Sequence, residues 1–189
     1  MPAAQRRWAA ELLQVWFHHL NWRDWFGGSQ AVDDMLRRRF ERDLSALHTQ
    51  SAESFLQDPQ TARAAILLFD QIPRNLYRGS AWAFAYDPLA REICLGALDR
   101  GWDKWGWHRG LTRPEKQFLG LPLMHSEDMA DQRASLEYFT LLGDAHIRSF
   151  ALAHYRMIAR FGRFPHRNAV LGRASSPAEE RAVAAGFAW

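Results

Sequence analysis

Phe69-Asp70-Gln71-Ile72-Pro73-Arg74-Asn75-Leu76-Tyr77-Arg78-Gly79 follows directly on the apolar run Ile66-Leu67-Leu68. A core helix reads this way, and here it hands over to a dense polar corner with a proline in the middle. The residue before a proline avoids the helical basin, so the spacing predicts a helix from Asp58-Pro59 to about Phe69 that ends before Pro73. Asp58-Pro59 is a clean start, because aspartate accepts the free amides of the first turn and proline tolerates the first helical position. Asp87-Pro88 repeats the signal, and its helix carries Leu89, Ile93 and Ala97 and stops near Gly101.

Outward from these two helices the patterning stays helical. Trp8, Leu12, Val15 and Trp16 recur at helical spacing over residues 4–20. A turn crowded with Trp22, Trp25 and Phe26 is expected from Asn21 to Ser29, broken by Gly27-Gly28. Ser29 suits an N-cap for a helix holding Val32, Met35, Leu36 and Phe40, with Arg37-Arg38-Arg39 as a solvated face. Residues 101–110 lose all periodicity and read as a loop heavy in tryptophan. Thr112-x-x-Glu115 is a capping box with Pro114 in the first turn, opening a helix with Phe118, Leu119 and Leu123. Ser126 is read as the start of the next helix, closed by Gly143, and Gly162 closes the one after it. Ser176-Pro177-Ala178-Glu179 opens the last. No stretch alternates as a strand would, and no fixed repeat period survives counting. The expectation is an all-α chain of short antiparallel helical hairpins, forming one domain over residues 1–189.

Bulk properties narrow the function. At 189 residues and 48% hydrophobic content the chain can bury a sizeable core. Apolar runs fall far short of the ~20 residues of a membrane span. The net charge of +3 is spread through interspersed acids and bases, with lysine only at Lys104 and Lys116. Nucleic-acid binders show a concentrated basic stripe, so nucleic acid is disfavoured as a partner. The single cysteine, Cys94, excludes an intrachain disulfide and reads as a small buried hydrophobe. The first residues form no clean apolar signal core, and a cytoplasmic location is expected.

Three polar corners carry the chemistry. In the first, Asp70, Arg74 and Asn75 offer an acceptor, a guanidinium fork and an amide. They are candidates for binding a ligand, or for satisfying the carbonyls of a buried helix end. In the second, His125-Ser126-Glu127-Asp128, a helix start explains the hydroxyl and acids but not the imidazole. His125 and Asp128 stand three apart, where the carboxylate could orient the imidazole as a general base. In the third, Arg160-x-x-Arg163-x-x-His166-Arg167-Asn168 is the most cationic stretch, and its arginines suit a carboxylate or phosphate. They could equally pair with Asp70, Glu127 and Asp128. A divalent metal held by His125, Asp128 and His166 matches no standard motif, and no cofactor is indicated. His154 lies on an apolar face and reads as a satisfied core histidine. No glycine-rich phosphate loop, nucleophile elbow or Cys-x-x-Cys is present.

These corners, quoted in full as Asp70-Gln71-x-Pro73-Arg74-Asn75-x-Tyr77-Arg78-Gly79, His125-Ser126-Glu127-Asp128-x-Ala130-Asp131-Gln132 and Phe161-Gly162-Arg163-Phe164-Pro165-His166-Arg167-Asn168-x-x-Leu171-Gly172-Arg173, resemble the bacterial family called domain of unknown function 924. The resemblance runs from about Val15 to about Glu180. It implies an all-α, tetratricopeptide-like fold and a cytosolic protein, and it supplies no catalytic residues. The family usually has an aspartate just before a Trp-Phe-Gly turn, where this chain has Val15-Trp16-Phe17-His18-His19.

The leading expectation is a cleft, lined by all three corners, that binds a small anionic molecule. In it His125, Asp128 and His166 would do acid–base chemistry, and Asp70, Arg74, Asn75, Glu127, Arg163, Arg167 and Asn168 would hold the ligand. The competing expectation is a non-enzymatic scaffold that binds a peptide or protein.

Overall fold

A computed structural model describes residues 7–104 and 110–186. The described residues contain helices and turns and no strand. The all-α class required by the patterning is therefore the observed one. The chain groups into two compact units: residues 1–78 with 82–122, and residues 79–81 with 123–189.

In unit 1, α1 (Arg7–Gln14) packs on α4 (Pro59–Ile66), α3 (Gln30–Leu47) on α5 (Ile72–Leu76), and α4 on α6 (Asp87–Asp99). Leu12, Trp16, Leu36, Phe40, Ile66, Phe69, Ile93 and Cys94 are among the side chains buried there. α2 (Trp22–Phe26) lies where a turn was expected. Asn21 and Asp24 cap it reciprocally, with Arg23 N donating to Asn21 Oδ1 at 3.0 Å and Asn21 N to Asp24 Oδ2 at 2.9 Å.

The helix that was expected to end before Pro73 does not end there. It widens into a π-turn, Leu67–Gln71, and resumes as α5 with Pro73 inside. The wide turn makes room for the ring, and Ile72 N reaches back five residues to Leu67 O. A second π-turn, Val15–His19, extends α1. There Leu20 N donates to Val15 O at 3.0 Å, and the bypassed Trp16 carbonyl accepts Trp25 Nε1 at 2.9 Å.

α7 (Arg113–His125) opens on the expected Thr112/Glu115 box, with Thr112 N donating to Glu115 Oε2 at 2.8 Å. Of the expected tryptophan-rich loop, residues 105–109 lie outside the described residues.

Unit 2 is built on the hairpin of α8 (Met129–Leu141) and α9 (Ala145–Phe161). α8 starts later than Ser126 suggested. Asp128 is its cap, accepting Ala130 N at 2.7 Å and Asp131 N at 3.2 Å. Gly162 closes α9 at φ +69°, a left-handed position that favours glycine. A short turn (Pro165–Arg167) follows, then α10 (Pro177–Ala184), with the Ser176/Glu179 box in place. Met157, Ile158, Phe164 and Ala182 form the core of this unit, with Met129 and Phe161 packed against it.

Candidate functional site

The first corner is committed inside unit 1. Asp70 is fully buried and accepts Gln71 Nε2 at 2.5 Å. Arg74 forks onto Asp87, Nη1 and Nη2 each 2.9 Å from a carboxylate oxygen, and stands 3.2 Å from Asp70 Oδ1. It also donates to the Asp70 carbonyl, and Asn75 Nδ2 donates to the Gln71 carbonyl at 3.0 Å. Burial alone would pull the guanidinium pKa down, but Asp70 and Asp87 together raise it above its ordinary value. Arg78 forks onto Asp33 at 2.6 and 2.9 Å and reaches Asn75 Oδ1 at 2.9 Å. The polar groups of this corner close a π-turn and clamp α3 and α6 to it.

The second and third corners both belong to unit 2, and one network joins them. Glu127 accepts Arg173 Nη1 at 2.7 Å and Nη2 at 2.9 Å, and the amide of Phe164 at 2.7 Å. Arg173 Nε donates to Asn168 Oδ1 at 2.9 Å. Asn168, fully buried, donates to Ser175 Oγ at 3.0 Å and to Glu179 Oε1 at 3.4 Å. Glu179 in turn takes Arg163 in a fork at 2.6 and 3.0 Å. Burial opposes ionisation of Glu127, yet Arg173 and the Phe164 amide hold its pKa below the usual carboxylate range. The Arg163 fork does the same for Glu179.

Beside this network two imidazoles, His154 and His166, lie against the Phe164 ring, and a third, His125, stands next to His154. The His125 and His154 centroids are 6.4 Å apart, His154 lies 5.4 Å from Phe164, and Phe164 lies 5.7 Å from His166. The buried guanidinium of Arg167 sits over the same ring at 4.6 Å. Burial pushes His154 down to about 3, helped by His125, and pushes His166 down to about 4, helped by Arg167. Both imidazoles are therefore neutral at pH 7 beside a permanent cation.

Sequence reasoning placed His125, His166 and Arg167 near one another. It missed that His154, a core histidine whose Nδ1 lies 2.9 Å from Phe150 O, stands in the same group. It also missed Arg173 and Glu179 as the partners that consume Glu127 and Arg163. Asp128 is exposed and occupied as a helix cap. Among the described residues no three histidine, cysteine, aspartate or glutamate side chains come together as a metal site, which includes His125, Asp128 and His166.

An all-α chain of capped hairpins, with a charge network behind a histidine cluster, defines the class. The chain belongs to the family described as bacterial protein of unknown function DUF924, whose profile matches residues 12–186. It is similar to the solved structure of the protein of unknown function ATU0120 from Agrobacterium tumefaciens, at 32% identity and a TM-score of 0.86. That match covers 94% of this chain and 97% of the other. No curated protein matches the chain. No described helix is long and apolar enough to cross a membrane.

Proposed function

We propose that unit 2 binds a small anionic molecule beside Arg167, and that His166 exchanges a proton with it. The observation that supports this is the grouping of His154, His166 and Arg167 around one phenyl ring, with His125 next to His154. An anion placed there offsets the push that Arg167 exerts on His166. The imidazole then gains a proton as the anion binds, and a half-exposed imidazole that titrates on binding suits a general acid–base step. The Glu127–Arg173–Asn168–Glu179–Arg163 network positions the loop that carries His166 and Arg167. With one buried thiol and no disulfide, a cytoplasmic setting fits this reading.

Titration calorimetry with malonate tests it, in two buffers of different protonation enthalpy. Proton uptake is expected, with affinity rising as the pH falls from about 7.5 to about 5.5. The response is expected to vanish in His166→Gln and Arg167→Gln, and to persist in part in Arg167→Lys. An affinity that ignores pH, or a His166→Gln protein that binds like wild type, sinks the proposal.

A second reading rests on α2, which leaves Trp22 and Phe26 65% and 61% exposed one helical turn apart. Such a pair suits a protein partner with an apolar groove. A peptide array probed with wild type and with Trp22→Ser/Phe26→Ser tests this, and equal binding by the two proteins rules it out.

A further inference from the structure

Many arginines of this chain hold a carboxylate, and a few in unit 2 do not. Arg63, Arg74, Arg78, Arg163 and Arg173 each bind a carboxylate. Arg156, Arg160 and Arg181 make no ion pair or hydrogen bond among the described residues, and all three line one open groove in unit 2. Arg156 and Arg160 stand one helical turn apart on α9, and Arg181 comes from α10. Arg160 also lies over the Phe161 ring at 4.9 Å, a contact that leaves its charge unneutralised.

The groove encloses about 360 Å³ and has an apolar lining that includes Ala153, Met157 and Ala182. No acidic residue lines it. None of the histidine cluster lines it either, so it is a separate site.

We propose that this groove binds a small phosphomonoester with a compact apolar body. Three guanidiniums without a counter-charge match a dianion better than a single carboxylate, and guanidinium forks suit phosphate oxygens. The alanine-lined floor takes an apolar group and offers a sugar or a charged body nothing to bond. The volume falls at the low end of small-molecule sites, which run from about 300 to about 1,000 Å³. One wall, α10, has only 8 residues, about 12 Å of helix, a short trough for a partner helix. The cations are exposed, so binding weakens as salt is added.

Titration calorimetry with phenyl phosphate on the full chain is the test. Saturable binding is expected, tighter than that of inorganic phosphate and weaker at high salt. Arg156→Ala and Arg181→Ala are each expected to weaken it roughly tenfold, the size of one charge-assisted hydrogen bond. Ala153→Phe is expected to block phenyl phosphate and spare inorganic phosphate. Binding that depends on Arg156 and Arg181 is expected to remain in His166→Gln, which separates this groove from the histidine cluster. The proposal is overturned if phenyl phosphate fails to saturate, binds no tighter than inorganic phosphate, or binds the arginine variants as it binds wild type. An acidic peptide that displaces phenyl phosphate and binds far more tightly also overturns it, by making the groove a protein-docking surface.

Discussion

Arg74 shows how far burial changes what an arginine is worth. Its guanidinium is held by Asp70 and Asp87 in a nearly dry corner, so removing it takes a cation away from a fully buried carboxylate. Arg74→Ala is expected to cost about 3–5 kcal/mol in urea unfolding. Arg39, which meets Glu11 at 3.4 Å in the open, is expected to lose less than about 1 kcal/mol on the same change. The histidines set a second residue-level expectation. Both His154 and His166 have folded pKa values below the unfolded 6.5. The unfolded chain therefore binds protons first, and stability falls as pH drops from about 6.5 towards the folded values near 4 and 3. The ceiling is about 1.4 kcal/mol per pH unit for each imidazole. The depressed glutamates lose their contribution only below the usual glutamate range, so the upper part of the window belongs to histidine. Urea midpoints across this range are expected to slope downward towards acid, and His154→Gln is expected to flatten the slope.

At the scale of elements, caps were legible and partners were not. Asp58, Thr112 with Glu115, and Ser176 with Glu179 act within three residues, so local sequence contains the whole interaction. Arg74 with Asp87, Arg78 with Asp33 and Glu127 with Arg173 are chosen by packing, across 13, 45 and 46 residues. Nothing local distinguishes those arginines from Arg156 or Arg181. Pro73 was read as a stop because the rule assumes α geometry, which the π-turn abandons. Ser126 and Asp128 are both good caps, and only the folded chain shows Ser126 Oγ donating to Asp131 at 2.5 Å while Asp128 caps α8. This gives a test of Asp128 as cap or as acid–base residue. Asp128→Ala is expected to lose about 1 kcal/mol, whereas Asp128→Ser keeps the cap and most of the stability. Malonate binding is expected to survive in both. The unpaired arginines of α9 also carry a cost. Arg156→Glu converts a like-charged pair into an attractive one with Arg160 and is expected to stabilise the chain by a few tenths of a kcal/mol, about 0.2–0.5, while abolishing phenyl phosphate binding.

For the molecule as a whole, the two units titrate differently. Both strongly depressed histidines lie in unit 2, while the fully buried Trp16 and Cys94 lie in unit 1. Mild acid is therefore expected to loosen α8 and α9 before α4 and α6. Hydrogen exchange followed by mass spectrometry at about pH 7 and about pH 5 checks this, and equal changes in both units contradict it. The all-α class was readable from periodicity because a helical stripe is a local pattern. Local pattern says nothing of which segments cluster, as where residues 79–81 join a unit that otherwise begins at residue 123.

The π-turn at Leu67–Gln71 amounts to one residue of extra chain wound into a helix. Each residue advances a helix by about 100°, so that single insertion sets the phase of everything after it. Asp33 lies before that insertion and its partner Arg78 lies after it. A chain shortened by one residue within 67–71 is expected to press the Pro73 ring against the preceding turn and to aim Arg78 away from Asp33. The irregularity is thus a phase setting for unit 1, and removing it is expected to cost stability.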